Sequence, residues 1–466
     1  MRRSMKRLVL PLIAVACAGC GPAGDGSAVS GRIVRAALGQ GRAYEKLAYL
    51  TDRIGPRLSG SEGLERAVRW TAEEFRRDGL DRVWTEPVMV PHWVRGEETS
   101  RIVSPVQHPM ATTALGMSVP TPEGGVSGEV VEVSSFEELK ALGARVQGRI
   151  VLYNKPVLTN GGEKDGYGSA VGLRGSGAIE AAKLGAVATL IRSLGTASFR
   201  LPHTGAMRYD ENVTRIPSAA ISTEDADLIH RLLAAGESVR VHLVLGCQTL
   251  PDAPSANVLA DLPGRERPEE IVLIGAHLDS WDLGTGAIDD GAGVAIVMET
   301  MRLLTSLGLT PRRTIRAALF TNEENGLGGG RAYAEVHADE LPRHVAAIET
   351  DSGGASPQGF GVSAGEGAVE IVRSIAAALD SIGAGEISPG GGGADIGPMK
   401  PAGVPLLGLR QETTHYFDYH HTAADTLDKV RPDELARNVA AMAVMAYGLA
   451  EREEPLPRLP APASTP

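Results

Sequence analysis

Residues 271–279 read Ile271-Val272-Leu273-Ile274-Gly275-Ala276-His277-Leu278-Asp279. Six apolar or small residues in a row, rich in β-branched side chains and preceded by Pro268-Glu269-Glu270, describe a short buried strand. Such a run has no solvent-facing positions, so the strand belongs inside a sheet covered on both faces. The chain beyond it repeats the theme. Residues 293–307 read as a helix, 314–320 as a strand, 331–336 as a helix, 344–349 as a strand, 368–382 as a helix, 404–409 as a strand and 432–452 as a closing helix. Strand and helix in alternation predict a parallel sheet between helices, a three-layer α/β/α fold.

Toward the N-terminus the texture differs. Residues 42–79 read as helical with a break at 54–61, and 80–110 carry extended signals interrupted by Pro. From 118 to 248 a second α/β unit is expected, with strands at 126–133, 149–153, 186–191, 216–222 and 239–245 and helices at 175–184 and 224–235. It interrupts the larger domain, which then comprises 20–117 and 249–452. Residues 453–466 hold five prolines and read as a disordered tail.

At 466 residues the chain is long enough for two to three domains at about 150 residues each. With 43% hydrophobic and 22% charged residues it has the composition of a soluble globular protein. A net charge of −11 excludes a general nucleic-acid binder, which needs clustered Lys and Arg against phosphate. Aromatics at 4% argue against a stacking platform. Three cysteines, Cys17, Cys20 and Cys247, exclude a disulfide-stapled scaffold. Cys247 reads as a buried, inert thiol.

Arg2, Arg3, Lys6 and Arg7 precede an apolar run at 8–16, too short to span a bilayer and right for a signal segment over 1–19. Ala18-Gly19-Cys20 resembles a bacterial lipobox, with Cys20 as the lipidated first residue, although Cys17 stands where Leu is usual. Ordinary cleavage near Ala16 or Ala18 is the alternative. The expected location is outside the cytoplasm: anchored by a lipid on Cys20 and facing the periplasm or cell exterior, or otherwise secreted. That lipid is the one membrane contact expected.

In an open α/β sheet, ligands bind at the carboxyl ends of the strands. Each predicted strand of the larger domain ends in reactive residues. His277-Leu278-Asp279 follows the first, with Asp289-Asp290-Gly291 before the next helix. Thr321-Asn322-Glu323-Glu324 follows the second, Thr350-Asp351 the third, and Tyr419-His420-His421-Thr422 lies in the loop after the fourth. Each motif alone has an ordinary explanation: a core histidine, a turn or helix cap, a solvated acidic pair. Delivered together to one sheet edge, they form a nitrogen and oxygen donor set without thiolate, which suits zinc. The donors exceed what one catalytic zinc uses, and a carboxylate shared by two ions explains the surplus. Such a pair generates hydroxide near neutral pH, and an uncoordinated neighbour of the Glu323-Glu324 pair can take the proton.

His277-Leu278-Asp279, Asp289-Asp290-Gly291, Glu323-Glu324, Asp351 and His421-Thr422 with Asp425-Thr426 resemble the signature of co-catalytic di-zinc exopeptidases. Ser280-Trp281-Asp282, Pro202-His203-Thr204-Gly205 and Tyr419-His420-His421 resemble its plasma glutamate carboxypeptidase (carboxypeptidase Q) subgroup, over about residues 44–450. The resemblance implies two Zn²⁺ per chain, one on His277 and Asp351, the other on Glu324 and His421, bridged by Asp289. It implies Glu323 as general base and Asp279 as the carboxylate that hydrogen-bonds the far nitrogen of His277. The ligand is His421 rather than His420, because the family ligand lies four residues before the Asp of Asp-Thr. The resemblance also implies a cis Asp289–Asp290 peptide, a protease-associated (PA-like) identity for the 118–248 insert, and a homodimer.

The expected activity is hydrolysis of dipeptides or short peptides, with aminopeptidase, carboxypeptidase and dipeptidase all open. The alternative is an N-deacylase or glutaminyl cyclase-type zinc enzyme on the same scaffold. A catalytically dead binding module is disfavoured, since no ligand and no base is missing. The insert is expected to rim the cleft and restrict peptide length, with Pro202–Gly205 nearest the substrate.

Overall fold

The computed structural model describes residues 26–159 and 165–460. The expected signal segment and Cys20 lie outside these residues. Among the described residues no helix is long and apolar enough to cross a membrane.

Two eight-stranded sheets organise the chain. The first runs, in spatial order, Arg82–Val94, Gln248–Leu262, Arg313–Phe320, Arg267–His277, His344–Glu349, Leu406–Gln411, Pro357–Ser363 and Glu386–Pro389. The four strands from Arg313–Phe320 to Leu406–Gln411 are parallel, and antiparallel pairs flank them. Alternation along Arg267–His277 divides its apolar residues between two cores. Val272, Ile274 and Ala276 pack with the helices Ala292–Ser306 and Pro432–Glu451. Ile271 and Leu273 face Phe320, Tyr333 and Met399 on the other side. This is the three-layer arrangement that the sequence predicts.

The second sheet runs His108–Met110, Glu98–Ser104, Arg240–Leu245, Val126–Val133, Ile150–Tyr153, Ala188–Arg192, Ser218–Ile221 and Thr112–Ala114. It corrects the expected boundary at 118, because residues 98–114 belong to this lobe. Glu98–Ser104 pairs with Arg240–Leu245, and Thr112–Ala114 pairs with Ser218–Ile221. Pro105 and Pro109 read as breaks in sequence, but Pro105 separates two strands of one sheet and Pro109 lies inside the strand His108–Met110, opposite Arg101. The entry and exit of the lobe are thus adjacent strands, continuous with the ribbon formed by Arg82–Val94 and Gln248–Leu262. Cys247 lies buried there, its thiol donating to the Ser118 carbonyl and its pKa pushed up by burial to about 11.

The lobes are tied beside the strand ends. The Arg95 guanidinium grips Asp282 through Nε–Oδ2 at 2.8 Å and Nη2–Oδ1 at 2.6 Å. The Trp281 ring lies against Gly116, where a Cβ would stand 1.9 Å from it, so only glycine fits.

The tail also departs from expectation. Residues 453–460 are fixed: Leu456 is buried in the main core, and Arg458 donates to the carbonyls of Leu341, Pro342, His344 and Ala402. Proline spacing hid this, because the segment is held by backbone carbonyls and one leucine rather than by a repeating pattern. Residues 461–466 lie outside the described residues.

At the end of helix Gly328–Val336, His337 bridges Glu86 and Glu340, 2.8 Å from each. Burial lowers its pKa, but the two carboxylates outweigh burial and raise it from 6.5 to about 9. The charged bridge therefore contributes fully below pH 6.5 and is lost as pH rises through about 9. Thermal melts from pH 6.5 to 9.5 should fall more steeply for the native chain than for His337→Gln. Parallel slopes would remove His337 as the cause.

Candidate metal centre

The seven residues singled out in sequence converge at the carboxyl ends of the parallel strands. His277 closes the strand Arg267–His277, and its Nε2 lies 3.1 Å from Asp289 Oδ1 and 3.3 Å from Asp351 Oδ1. On the other side, His421 Nε2 lies 3.0 Å from Asp289 Oδ2 and 2.9 Å from Glu324 Oε2. Asp289 thus turns one oxygen to each imidazole.

Both histidines are oriented alike. His277 Nδ1 donates to the carbonyl of Asp279 at 3.1 Å, and His421 Nδ1 donates to the carbonyl of Thr204 at 3.3 Å. With Nδ1 carrying the proton, each Nε2 lone pair points at carboxylate oxygens. Lone pairs facing lone pairs repel, and a cation between them reverses the sign. Asp289 Oδ2 and Glu324 Oε1 are buried and receive no hydrogen bond from the described residues. The donor set therefore fits a divalent cation on each side of Asp289.

Backbone contacts fix the Asp289 segment. The Asp289–Asp290 peptide is cis. Asp425 accepts from the amides of Ala287, Ile288 and Asp289 at 2.8, 2.7 and 3.3 Å. Asp290 lies close enough to His277 and Asp351 to join a metal cluster. Both its oxygens are already engaged, however, by the amides of His277 and Gly293 at 3.2 and 2.9 Å.

Asp279 departs from its expected part. Its carboxylate stands 3.9 Å from His277 Nδ1, and its own backbone carbonyl takes that hydrogen bond instead. Only one residue, Leu278, separates the pair, so the chain turns its carbonyl onto the ring and leaves the side chain free. The carboxylate then accepts from the amides of Glu323 and Glu324 at 3.0 and 3.2 Å. Asp279 therefore holds the Glu-Glu pair in place. Glu323 is half-buried beside this group, and its carboxyl pKa is raised well above the usual range by burial, with Asp351 and Glu324 adding to the rise and His277 opposing.

Three contributions were not read from sequence. Arg57, in a segment read only as a helix break, is fully buried under the site and donates to the carbonyls of Gly55, Leu278, Thr285 and Gly286. Burial lowers its pKa to about 10 against the attraction of Asp425 and Asp279, so it is charged at neutral pH. His420 lies 3.2 Å from Asp289 Oδ2 through its Nε2. A cavity of about 420 Å³ is lined by Ile288 and Ser352, the chain neighbours of Asp289 and Asp351, with Tyr416, Tyr419, Arg431 and Glu434 among others. Helix-break chemistry around Gly55-Pro56 masks a buried cation, and the other two depend on loops of the first lobe that are far apart in sequence.

The signature of peptidase family M28 matches residues 257–446. Carboxypeptidase Q of Mus musculus is 40% identical over 90% of this chain and 88% of its own length, and that of Homo sapiens is 39% identical over 90% and 87%. A peptidase M28 precursor from Shewanella amazonensis SB2B superposes with a TM-score of 0.89 at 40% identity, covering 93% of this chain and 99% of that one. The zinc aminopeptidase BSAP of Bacillus subtilis shares the fold, with a TM-score of 0.66 at 22% identity over 88% of this chain and 95% of its own. With this identity running through both lobes, and a cation-ready donor set at the strand ends, the chain belongs to peptidase family M28 and is a zinc metallopeptidase.

Proposed function

We propose that this chain hydrolyses dipeptides or short peptides with two zinc ions and Glu323 as general base. One observation carries the proposal: Asp289 presents one oxygen to His277 and Asp351 and the other to His421 and Glu324. On this reading His277 and Asp351 hold one ion, Glu324 and His421 the other, and Asp289 both. Bound there, the pair polarises the peptide carbonyl and makes water acidic enough to attack near neutral pH.

The protein's own residues do the rest. Glu323 takes the proton of the attacking water on its carboxylate and returns it to the leaving amine nitrogen as the C–N bond breaks. Asp279 fixes Glu323 and Glu324 through their amides. The cavity lined by Ile288, Ser352 and Tyr416 receives a substrate side chain. The second lobe, which we read as the PA-like insert, covers the cleft with Thr204 and Trp281's partner Gly116 and so favours short substrates. Export, with a lipid on Cys20, remains the proposed location, and mass spectrometry of the mature N-terminus tests it.

Chelation should abolish dipeptide hydrolysis, and added zinc should restore it with two ions per chain by atomic spectroscopy. A panel of dipeptides with free and blocked termini, beside N-acyl amino acids, separates exopeptidase from deacylase. Full activity in a metal-free preparation would overturn the proposal.

A further inference from the structure

Four arginines are buried among the described residues: Arg57, Arg174, Arg313 and Arg316. Burying a guanidinium costs its hydration, and partners must offset the loss. Arg313 pairs with Glu270, and Arg316 pairs with Asp261 and Glu340. Arg57 distributes its donors over four carbonyls. Arg174 is answered in neither way. It lies in the helix Gly168–Lys183 of the second lobe, 7% exposed, and no carboxylate among the described residues pairs with it. Only its Nη1 is engaged, donating to the Tyr167 hydroxyl at 2.7 Å and to the Thr204 carbonyl at 3.4 Å. Its Nε is buried without an acceptor, and Nη2 has none among the described residues.

This charge stands where the second lobe meets the metal centre. The Thr204 carbonyl that Nη1 reaches also accepts from Nδ1 of His421 at 3.3 Å, so one oxygen separates the guanidinium from a ring of the proposed ligand set. The Tyr167 ring, held through its hydroxyl, meets His203 and His420 edge-on, with centroids 5.7 and 5.4 Å away. Gly205 lets the 202–205 segment pass this closely, since a Cβ there would stand 2.2 Å from Nη1.

A fixed positive charge beside a peptidase centre selects an anion. A dipeptide without acidic side chains carries one, its terminal carboxylate, which lies one residue, or roughly 3.5 Å, beyond the scissile carbonyl. Guanidinium and carboxylate match in shape as well as in charge. Arg95 takes Asp282 through Nε and Nη2, and Arg316 takes Asp261 the same way. That is the edge which Arg174 leaves without acceptors.

We infer that Arg174 binds the free α-carboxylate of the substrate's C-terminal residue, so that the amino acid released is the one at the carboxyl end. The inference rests on the zinc-peptidase reading above and deepens it, choosing carboxypeptidase or dipeptidase action over aminopeptidase action. It also makes the second lobe a binding partner of the substrate, beyond a rim that selects peptide length.

The test uses the full zinc-loaded chain with three substrates: alanylleucine, its C-terminal amide, and the α-amide of alanylglutamate, whose one carboxylate is on the side chain. A hydrogen-bonded charge pair contributes roughly 10–100-fold, and kcat/KM for alanylleucine should exceed that for either amide by this factor. Arg174→Gln should lower kcat/KM for alanylleucine by roughly 10–100-fold, mainly through KM, with both amides within about threefold of the native values and zinc per chain unchanged. The acid-to-amide ratio is read on one preparation, so a partly folded variant does not blur it. Arg174→Lys keeps the charge without the fork and should keep part of the preference, which carries the test if Arg174→Gln does not accumulate. Equal use of alanylleucine and its amide by the native chain, equal losses on both in Arg174→Gln, or an unchanged ratio in Arg174→Lys would overturn the inference. Full use of the alanylglutamate amide would also overturn it, by moving the anchored group to a side chain. Absence of zinc-dependent hydrolysis in the native chain would overturn the underlying reading as well, so the two failures are distinct.

Discussion

Glu323→Gln is expected to keep its zinc and to lose about 10²–10⁴-fold in kcat, the usual worth of a positioned general base. The amide preserves volume, and the backbone N–H that binds Asp279 Oδ1 is untouched, so the loop keeps its place. What disappears is the ability to accept a proton from water. Glu324→Gln should behave differently. Its carboxylate stands 2.9 Å from His421 Nε2, and losing that charge removes a donor from one side of Asp289. Zinc per chain should fall in this variant, with activity recovering in part at high zinc. Atomic spectroscopy beside kcat at saturating dipeptide separates the two outcomes. An exchange of phenotypes would reverse the assignments of base and ligand.

Arg57→Leu is expected to cost the fold as well as the activity. The guanidinium donates to four carbonyls at 2.7–3.1 Å, tying the segment before helix Glu62–Arg77 to the turn at Thr285-Gly286 that leads into Asp289. Each buried carbonyl left without a donor costs about 1–3 kcal/mol. Four such losses take at least roughly 4 kcal/mol from a protein whose whole stability is about 5–15 kcal/mol. Leucine fills much of the space and supplies none of the hydrogen bonds. The variant should melt roughly 10 °C lower or fail to accumulate in soluble form. Arg57→Lys retains charge but lacks the planar fork, and should fall between the two. A leucine variant that melts with the native chain would show that these carbonyls find water instead.

The parallel sheet was legible because its strands are buried on both faces. Residues 271–276 are a continuous apolar run and 314–320 are apolar but for Thr314 and Arg316, and such runs stay dry only with a sheet around them. The metal centre was legible for a related reason: the end of each parallel strand, or the loop after it, carries donors, and parallel strands put those ends on one edge. What sequence hid were the contacts made by one residue at a distance. Nothing local marks Arg57 as buried, since its four partners lie at positions 55, 278, 285 and 286. The carboxylate of Asp279 was sent to the wrong partner because His-Leu-Asp spacing does not say whether a side chain or a carbonyl reaches the ring. The insert boundary was misplaced because proline marks the ends of strands and the ends of domains alike. The tail was misread because its fixation depends on carbonyls at 341–344 and 402.

The pairing of Arg82–Val94 with Gln248–Leu262 sets a timetable for the nascent chain. The first of these strands leaves the ribosome about 150 residues before its partner, a delay on the order of ten to thirty seconds at about 5–20 residues per second. Meanwhile the second lobe is completed, with its own apolar core and with Glu98–Ser104 and Arg240–Leu245 already side by side. That lobe can close before any parallel pairing of the first sheet exists, and in closing it carries residue 248 to the waiting strand. Until then Met89 and Val94, which stay exposed even in the finished fold, sit on an unpaired edge open to other chains. A slowly folding insert would therefore be paid for in aggregates of the emerging polypeptide, long before any zinc is bound.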